Sequence, residues 1–214
     1  MFMAKAILFD LDGTLTDSGE GIINCATLAL NHFGLPVPDR ETMRVFVGPP
    51  LDETFMKFGV PADKTDEAIA VYRSRYTTVG KFENYPYPGV EALLQKLLLD
   101  GHRLFVATSK PESMSVEILE KFGLAKYFEK ICGATFDGSR SKKADVIAYL
   151  LAQVGSAEEM VMVGDTDYDV IGAKAHNIPA IGVAWGYGKV EDMRSAGAVG
   201  IAETMDDLYR LLTQ

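Results

Sequence analysis

Short apolar runs alternate with segments of helical periodicity over most of this chain, from Val90 onward. Strands are predicted near residues 103–108, 130–134, 160–164, 179–183 and 198–201, and helices near residues 90–100, 111–122, 142–154, 168–176, 189–196 and 205–213. This alternation favours a mainly parallel sheet, doubly wound with helices on both faces. The predicted fold class is therefore α/β, with ligands expected at the carboxyl ends of the strands.

A helical block interrupts this pattern near its start. A first strand is predicted at the apolar run of Ala6, Ile7 and Leu8, and helical patterns then occupy residues 19–33, 42–46, 51–58 and 62–78. Residues 84–89, with two prolines, mark the return to the strands. We therefore expect a core made of residues 1–17 and 84–214, and an inserted helical domain of residues 18–83.

Composition limits the classes of partner. The chain has 214 residues, 48% of them hydrophobic, and a net charge of -9, which argues against a broad binding surface for a nucleic acid polymer. The two cysteines are too few for a disulfide scaffold, and no apolar run approaches the length of a membrane span. Because the sequence enters a strand without a signal-peptide pattern, we expect a cytoplasmic protein with no membrane partner.

Two carboxylates stand where the first predicted strand ends, in the sequence Asp10-Leu11-Asp12-Gly13-Thr14. Such a pair suits a site in which one carboxylate attacks an electrophile while the other exchanges a proton with it. Gly13 permits a tight turn, and the hydroxyl of Thr14 can support that turn with a hydrogen bond. The arrangement indicates phosphoryl transfer.

Further polar groups follow in the same context. A strand ends in Thr108-Ser109-Lys110, the pair Lys142-Lys143 opens a later helix, and another strand runs into Gly164-Asp165-Thr166-Asp167-Tyr168-Asp169. These three motifs and the first one make four. The four motifs and their order resemble those of the haloacid dehalogenase-like phosphatases. The helical insertion is similar to the C1-type cap of that superfamily. Residues 47–51, 124–128 and 137–143 resemble the phosphoglycolate phosphatase and bacterial 5'-nucleotidase groups.

The resemblance implies a role for each motif. Asp10 is implied as the nucleophile that forms an aspartyl phosphate, and Asp12 as the acid in the first half-reaction and the base in the second. Thr108 is implied to hold a phosphate oxygen. Its neighbours Ser109 and Lys110 would offer backbone donors, although Ser109 departs from the asparagine usual in the family.

A lysine is implied at the start of the helix after residue 141, where its charge would stabilise the transferring phosphoryl group. Lys143 is the preferred candidate, with Lys142 as the alternative. The resemblance further implies a Mg²⁺ site formed by Asp10, the backbone carbonyl of Asp12, Asp165 and Asp169, because oxygen ligands suit that ion.

The inserted domain is expected to determine substrate choice. Arg44 and Gly48 resemble the cap loop that approaches substrate, and together with Thr14 they complete the expected phosphate- and substrate-binding residues. A closing cap favours a small phosphorylated metabolite over a polymer. The loop of residues 185–188 follows a strand and is a further candidate for the mouth of the site.

Other functions share this core. A β-phosphoglucomutase-like sugar phosphomutase would use the same residues, and a noncatalytic binding protein would keep the fold without turnover. A 2-haloacid dehalogenase would not need Asp12, Asp165 or Asp169, and a phosphonatase would need a cap lysine that does not stand out. The sequence leaves the physiological phosphomonoester and the oligomeric state open.

Overall fold

The computed structural model describes residues 4–155 and 159–214. Contacts divide the chain into two compact units, one made of the residues up to Thr16 and from Pro86 onward, the other of Asp17–Tyr85. The first three residues of the predicted core lie outside the described residues. In the part of the chain that is described, no helix has the length and hydropathy required to cross a membrane.

Eight strands occur in the described ranges. They are β1 (Ala6–Phe9), β2 (Thr16–Asp17), β3 (Tyr85–Pro86), β4 (Arg103–Pro111), β5 (Lys130–Ala134), β6 (Met160–Gly164), β7 (Ala180–Val183) and β8 (Gly200–Ala202). Six of them form one sheet in the order β5-β4-β1-β6-β7-β8, and all of its pairings are parallel. Strands β2 and β3 form a separate two-stranded sheet.

Ten α-helices occur in the described part of the chain. They are α1 (Gly19–His32), α2 (Arg40–Met43), α3 (Leu51–Lys57), α4 (Thr65–Tyr76), α5 (Val90–Leu99), α6 (Glu112–Lys121), α7 (Lys143–Val154), α8 (Asp167–Lys174), α9 (Val190–Ala196) and α10 (Met205–Leu212). Four single 3-10 turns, at residues 44–46, 62–64, 80–82 and 125–127, complete the described elements.

The central strand β1 shows why both sheet faces are covered. Its side chains alternate between faces, as in any strand. Ile7 and Phe9 pack in a cluster with buried residues of α5, α6 and α10, whereas Ala6 and Leu8 pack in a second cluster with residues of α7, α8 and α9. The predicted doubly wound, parallel α/β class is confirmed.

The second unit contains α1 to α4 and no strand of the large sheet. Aromatic rings fill part of its interior. Phe46 lies at ring-centroid distances of 5.1 Å from Phe55 and 4.8 Å from Phe58, and Tyr72 stacks on Tyr76 at 5.1 Å. Burying such large apolar side chains supplies the core that this unit needs.

Strand β4 is longer than the sequence pattern predicts. The prediction ended this strand at residue 108 and began the next helix at Pro111, but the strand continues to Pro111 and α6 begins at Glu112. Pairing with β5 explains the extension, because Pro111 still pairs with Ala134 after a shift of register beyond Ala107. The polar residues 108–110 therefore lie inside an irregular strand end, and the helix begins one residue later than predicted.

Candidate active site

The ends of three neighbouring strands define the site. Strand β1 lies between β4 and β6, so the residues that follow β1 and β6 meet the end of β4 at one edge of the sheet. Asp10 directly follows β1, and its backbone N–H donates to the Val163 carbonyl at 2.9 Å. Only 8% of Asp10 is exposed. The chain thus fixes a carboxylate in a largely dry position.

The turn after Asp10 requires a glycine. Gly13 has φ = +85°, and a Cβ added to it would lie 2.1 Å from Asp165 Oδ2. Its N–H donates to the Thr16 carbonyl at 2.8 Å. A side chain at position 13 would strain the backbone and displace the Asp165 carboxylate.

Lys143 is fully buried at the start of α7 and contacts two carboxylates. Its Nζ lies 2.8 Å from Asp10 Oδ1 and 2.8 Å from Asp169 Oδ1, and it donates to the Ala107 carbonyl at 2.9 Å. Burial alone would lower the pKa of Lys143, but the charges of Asp10 and Asp169 outweigh that effect and raise it. Lys143 is therefore a fixed cation, and it is Lys143, not the exposed Lys142, that reaches these groups.

Asp165 follows β6 and is held from two sides. Thr14 Oγ1 donates to its Oδ1 at 3.2 Å, and the Tyr187 N–H donates to its Oδ2 at 2.8 Å. Burial raises the pKa of Asp165 well above its usual value, and the nearby charges of Asp169 and Asp10 add to that effect. The hydroxyl of Thr14 thus contacts the Asp165 carboxylate, whereas the sequence predicted that it would support the turn.

Asp169 lies in the first turn of α8 as part of a capping box. Its Oδ2 accepts hydrogen bonds from the Thr166 N–H at 3.1 Å and from Thr166 Oγ1 at 2.9 Å, while Thr166 caps the helix. Burial raises the pKa of Asp169, although Lys143 acts in the opposite direction. The cap uses Oδ2, and Oδ1 contacts Lys143.

The three buried carboxylates fit a divalent cation. Each of Asp10, Asp165 and Asp169 offers one oxygen, and these oxygens lie within 4.8 Å of one another. Asp10 Oδ1 and Asp169 Oδ1 are buried without a partner in hydrogen-bond geometry, although both are within ion-pairing distance of Lys143. Three buried carboxylates beside one lysine leave excess negative charge, which an oxygen-liganded cation would neutralise.

Thr108 is 1% exposed at the irregular end of β4. Its Oγ1 accepts the backbone N–H of Lys110 at 3.2 Å, so this N–H already has a partner within the protein. A hydroxyl can accept and donate at once, so Thr108 retains the ability to donate to a phosphate oxygen. Ser109 lies between them and is partly exposed.

Lys110 makes a contact that the sequence analysis did not foresee. Its Nζ lies 2.6 Å from Asp12 Oδ2 and 2.9 Å from Asp12 Oδ1. The two lysines of the site thus contact different acids: Lys143 contacts Asp10 and Asp169, whereas Lys110 contacts Asp12.

The loop after β7 supports the site from outside the four motifs. Besides the Tyr187 contact with Asp165, Trp185 Nε1 donates to the Thr14 carbonyl at 3.2 Å. A Cβ on Gly186 would lie 2.3 Å from Asp165 Cβ, and one on Gly188 would lie 2.1 Å from the Asp165 carbonyl oxygen. The sequence indicated this loop by its glycines and its place after a strand. The sequence did not indicate that the loop contacts Asp165.

Two further glycines make room for site residues and were missed entirely. A Cβ on Gly164 would lie 2.2 Å from Asp169 Cγ, and a Cβ on Gly172 would lie 2.6 Å from Lys143 Cγ. Each glycine lies in a regular element, where no turn demanded it. Each glycine is required because a side chain distant in sequence approaches it closely. A single sequence does not show such a contact.

The predicted cap residues belong to the helical unit. Arg44 opens a 3-10 turn with its Nε 4.0 Å from Glu41 Oε2, and Gly48 has φ = +103°. Arg75 of the same unit forms a two-bond ion pair with Glu83 at 2.6 and 2.7 Å. The approach of Arg44 and Gly48 to a substrate stays a prediction.

Neither cysteine has the surroundings of a nucleophile. Burial raises the pKa of the Cys132 thiol to about 11 and also raises that of the Cys25 thiol. The thiolate is the reactive form of cysteine, so both thiols are unreactive near neutral pH. The cysteines are therefore not candidates for the nucleophile.

Comparison with known proteins identifies the same family as the sequence motifs. The family profile described as haloacid dehalogenase-like hydrolase matches residues 7–183. Tyrosine-protein kinase PtkA of Mycobacterium tuberculosis is 45% identical over 211 residues, which are 97% of this chain and 72% of that protein. A 5'-nucleotidase of Pseudomonas aeruginosa is 40% identical, covering 88% of this chain and 86% of the relative.

A phosphoglycolate phosphatase of Vibrio parahaemolyticus is 30% identical, over 97% of this chain and 96% of the relative. Among solved structures, a predicted phosphatase from Clostridium acetobutylicum superposes with a TM-score of 0.93 at 43% identity, over 98% of both chains. The matches include the segments that carry Asp10, Lys143 and Asp165, and also the helical segment after Asp10. The chain therefore belongs to the haloacid dehalogenase-like hydrolase family.

Proposed function

We propose that this protein is a Mg²⁺-dependent phosphatase that hydrolyses a small phosphomonoester through an aspartyl phosphate on Asp10. Its enzyme class, phosphoric monoester hydrolase, follows from the family match and from relatives named as phosphatases and a nucleotidase. The intermediate, the metal and the substrate are the steps that the proposal adds.

The observation that carries the proposal is the pairing of two acids with two different lysines. Asp10 is buried against Lys143 and beside Asp165 and Asp169, whereas Asp12 is bound by Lys110. Two carboxylates two residues apart thus have separate surroundings. Such separation suits different roles, one as nucleophile and one as proton carrier.

In the first half-reaction, a carboxylate oxygen of Asp10 attacks phosphorus and forms an O–P bond. The bond between phosphorus and the leaving oxygen breaks, and Asp12 gives its proton to that oxygen, so an alcohol departs. Lys143 balances the charge that develops on the phosphoryl oxygens, and the hydroxyl of Thr108 donates to one of them.

In the second half-reaction, water attacks the phosphorus of the aspartyl phosphate. Asp12, now a carboxylate, takes the water proton while the bond from Asp10 to phosphorus breaks, and inorganic phosphate leaves. The two steps return both acids to their starting states. Asp10 ends ionised and Asp12 ends protonated.

The metal would be held by the carboxylates of Asp10, Asp165 and Asp169 and by the backbone carbonyl of Asp12. Mg²⁺ is proposed because it prefers carboxylate and carbonyl oxygens and retains waters that complete its shell. Bound there, the ion would supply the positive charge that lets an anionic phosphate approach the anionic Asp10.

A small substrate is proposed from the relatives and from the inserted helical unit. The named activities among relatives include a 5'-nucleotidase and a phosphoglycolate phosphatase, both of which act on small phosphate esters. Closure of a cap favours substrates of that size, and Arg44 is the candidate residue for reading the leaving group. The two classes to test first are nucleoside monophosphates and 2-phosphoglycolate.

The test is phosphate release from nucleoside monophosphates, 2-phosphoglycolate, sugar phosphates and pyrophosphate, each with Mg²⁺ and with EDTA. We expect one strongly preferred substrate, hydrolysed only with Mg²⁺. A stoichiometric phosphoenzyme that disappears in Asp10→Asn would support the intermediate. Absence of Mg²⁺-dependent release from the whole panel would contradict the proposal and favour a noncatalytic protein.

A second candidate follows from the 45% identity to a protein named tyrosine-protein kinase. In that reaction the phosphoryl group would pass to a tyrosine hydroxyl instead of water. Incubation with ATP and tyrosine peptides, followed by mass spectrometry, separates the two. Phosphotyrosine formed faster than free phosphate would favour the kinase, and phosphate release alone would favour the phosphatase.

A further inference from the structure

Lys110 is buried, and its ammonium forms an ion pair with Asp12. Its side chain is 4% exposed, and the carboxylate of Asp12 is 13% exposed. The ammonium contacts both Asp12 oxygens, at 2.6 and 2.9 Å. Because an unpaired ammonium is costly to bury, this contact is favoured over other positions of the side chain.

The irregular end of β4 sets the direction of Lys110. Between Ala107 and Pro111 the register with β5 shifts, and the Lys110 N–H bonds to Thr108 Oγ1 inside the strand. This local bond holds the backbone from which the side chain extends. Lys110 therefore starts from a fixed point on the strand beside β1, whose end precedes Asp12.

We propose that Lys110 is a positioning residue that holds the Asp12 carboxylate in the orientation needed for both proton transfers. This inference rests on the proposed phosphatase function. An aspartate side chain can rotate about two bonds, and contact of one ammonium with both oxygens restricts that rotation. Proton transfer to a leaving oxygen or from a water depends on such alignment.

The proposal separates steps that need Asp12 from a step that does not. Alkyl phosphates need a proton on the leaving oxygen, and hydrolysis of the aspartyl phosphate needs a base for water. In contrast, p-nitrophenolate leaves without a proton while the new bond forms between Asp10 and phosphorus. Loss of Lys110 should thus slow the cleavage of alkyl phosphates and the hydrolysis of the aspartyl phosphate. It should leave the release of p-nitrophenolate unchanged.

The test compares Lys110→Met with wild type and with the control Lys130→Met, an exposed lysine on the neighbouring strand β5. For Lys110→Met we expect kcat on 2-phosphoglycolate, or on the preferred alkyl phosphate, to fall about 10²-fold. The KM should change less than about threefold, as expected when substrate binding is retained. With p-nitrophenyl phosphate, stopped flow should show one p-nitrophenolate per site released rapidly, followed by slow turnover.

A double-mutant cycle with Asp12→Asn tests whether Lys110 acts through Asp12. The double variant should lose no more activity than Asp12→Asn alone, because the group that Lys110 positions is already absent. If Lys110→Met does not fold, Lys110→Gln, which lacks the charge, replaces it with the same expected pattern. Circular dichroism establishes the fold of each variant.

The outcomes distinguish the two proposals. Additive losses in the cycle, or equal slowing of the p-nitrophenolate burst and of alkyl phosphate turnover, would overturn the role of Lys110 and leave the phosphatase proposal standing. A wild-type protein inactive on every phosphate ester would overturn both. A selective loss that disappears in the Asp12→Asn background supports the positioning role.

Discussion

At the scale of single residues, the position of Asp10 supports its proposed role in the covalent step. The carboxylate is nearly buried, faces Lys143, and follows the central strand of the sheet. Replacement by asparagine keeps the volume but removes the nucleophile. We expect Asp10→Asn to lose at least about 10³-fold of phosphate release, as for other nucleophile deletions, with unchanged circular dichroism.

The matched control is Asp145→Asn, which removes the same charge from an exposed position in the first turn of α7. Its activity should stay within about twofold of wild type, as is usual for surface substitutions. Residual turnover in Asp10→Asn near the level of the control would exclude Asp10 as the nucleophile.

Lys143 has a predicted effect on stability as well as on rate. Replacement by methionine leaves Asp10 and Asp169 buried without their cation, so we expect metal-free stability to fall by about 3–5 kcal/mol in urea titrations. The rate should fall about 10²-fold or more, because the cation proposed to balance the charge of the transferring phosphoryl group is lost.

Lys142→Met is the control for that prediction, since Lys142 is exposed beside Lys143. This pair also decides the alternative that the sequence left open. If Lys142→Met loses activity and Lys143→Met does not, the lysine assignment is wrong.

At the scale of elements, the end of β6 depends on a residue without a side chain. A Cβ at Gly164 would lie 2.2 Å from Asp169 Cγ, so Gly164→Ala should shift α8 or the Asp169 carboxylate. We expect at least about tenfold weaker Mg²⁺ activation, since supporting contacts of metal ligands commonly contribute this much. The measurement is activity as a function of Mg²⁺ concentration.

Gly200→Ala provides the comparison. This glycine lies in β8 of the same sheet, and its added Cβ would lie 3.3 Å from a movable Leu211 side-chain atom. Its Mg²⁺ activation should match that of wild type. Similar curves for both variants would show that the Gly164 contact does not support the metal ligands.

These elements also show what the sequence can and cannot reveal. The strand ends at Asp10 and Asp165 were predictable because apolar runs of strand length stop at polar residues, and parallel topology brings such ends together. The contact of Lys110 with Asp12 was not, because it depends on the register shift of β4 and joins residues 98 positions apart. Glycines 164 and 172 were missed for the same reason: their neighbours are set by packing between elements.

At the scale of the whole molecule, the buried carboxylates couple stability to pH. The pKa values of Asp165 and Asp169 are raised above the usual 3.8, mainly by burial. The folded protein therefore retains these protons to higher pH than the unfolded chain does. Their contribution favours the metal-free fold below about pH 3.8 and is lost as pH rises through the raised values.

In the proposed function Mg²⁺ would reverse this loss, because it would bind the deprotonated carboxylates of the folded state. At a Mg²⁺ concentration of about 100 times Kd, binding contributes about 2.7 kcal/mol, or a Tm increase of about 5–10 °C for a chain of this size. We expect this increase at pH 7.5 and a smaller one at pH 5, measured by differential scanning calorimetry. Asp165→Asn removes one ligand and one buried charge, so its metal-free Tm at pH 7.5 should equal or exceed that of wild type while the Mg²⁺ shift disappears. An equal Mg²⁺ shift in Asp165→Asn, or one independent of pH, would place the binding ion outside the cluster of Asp10, Asp165 and Asp169.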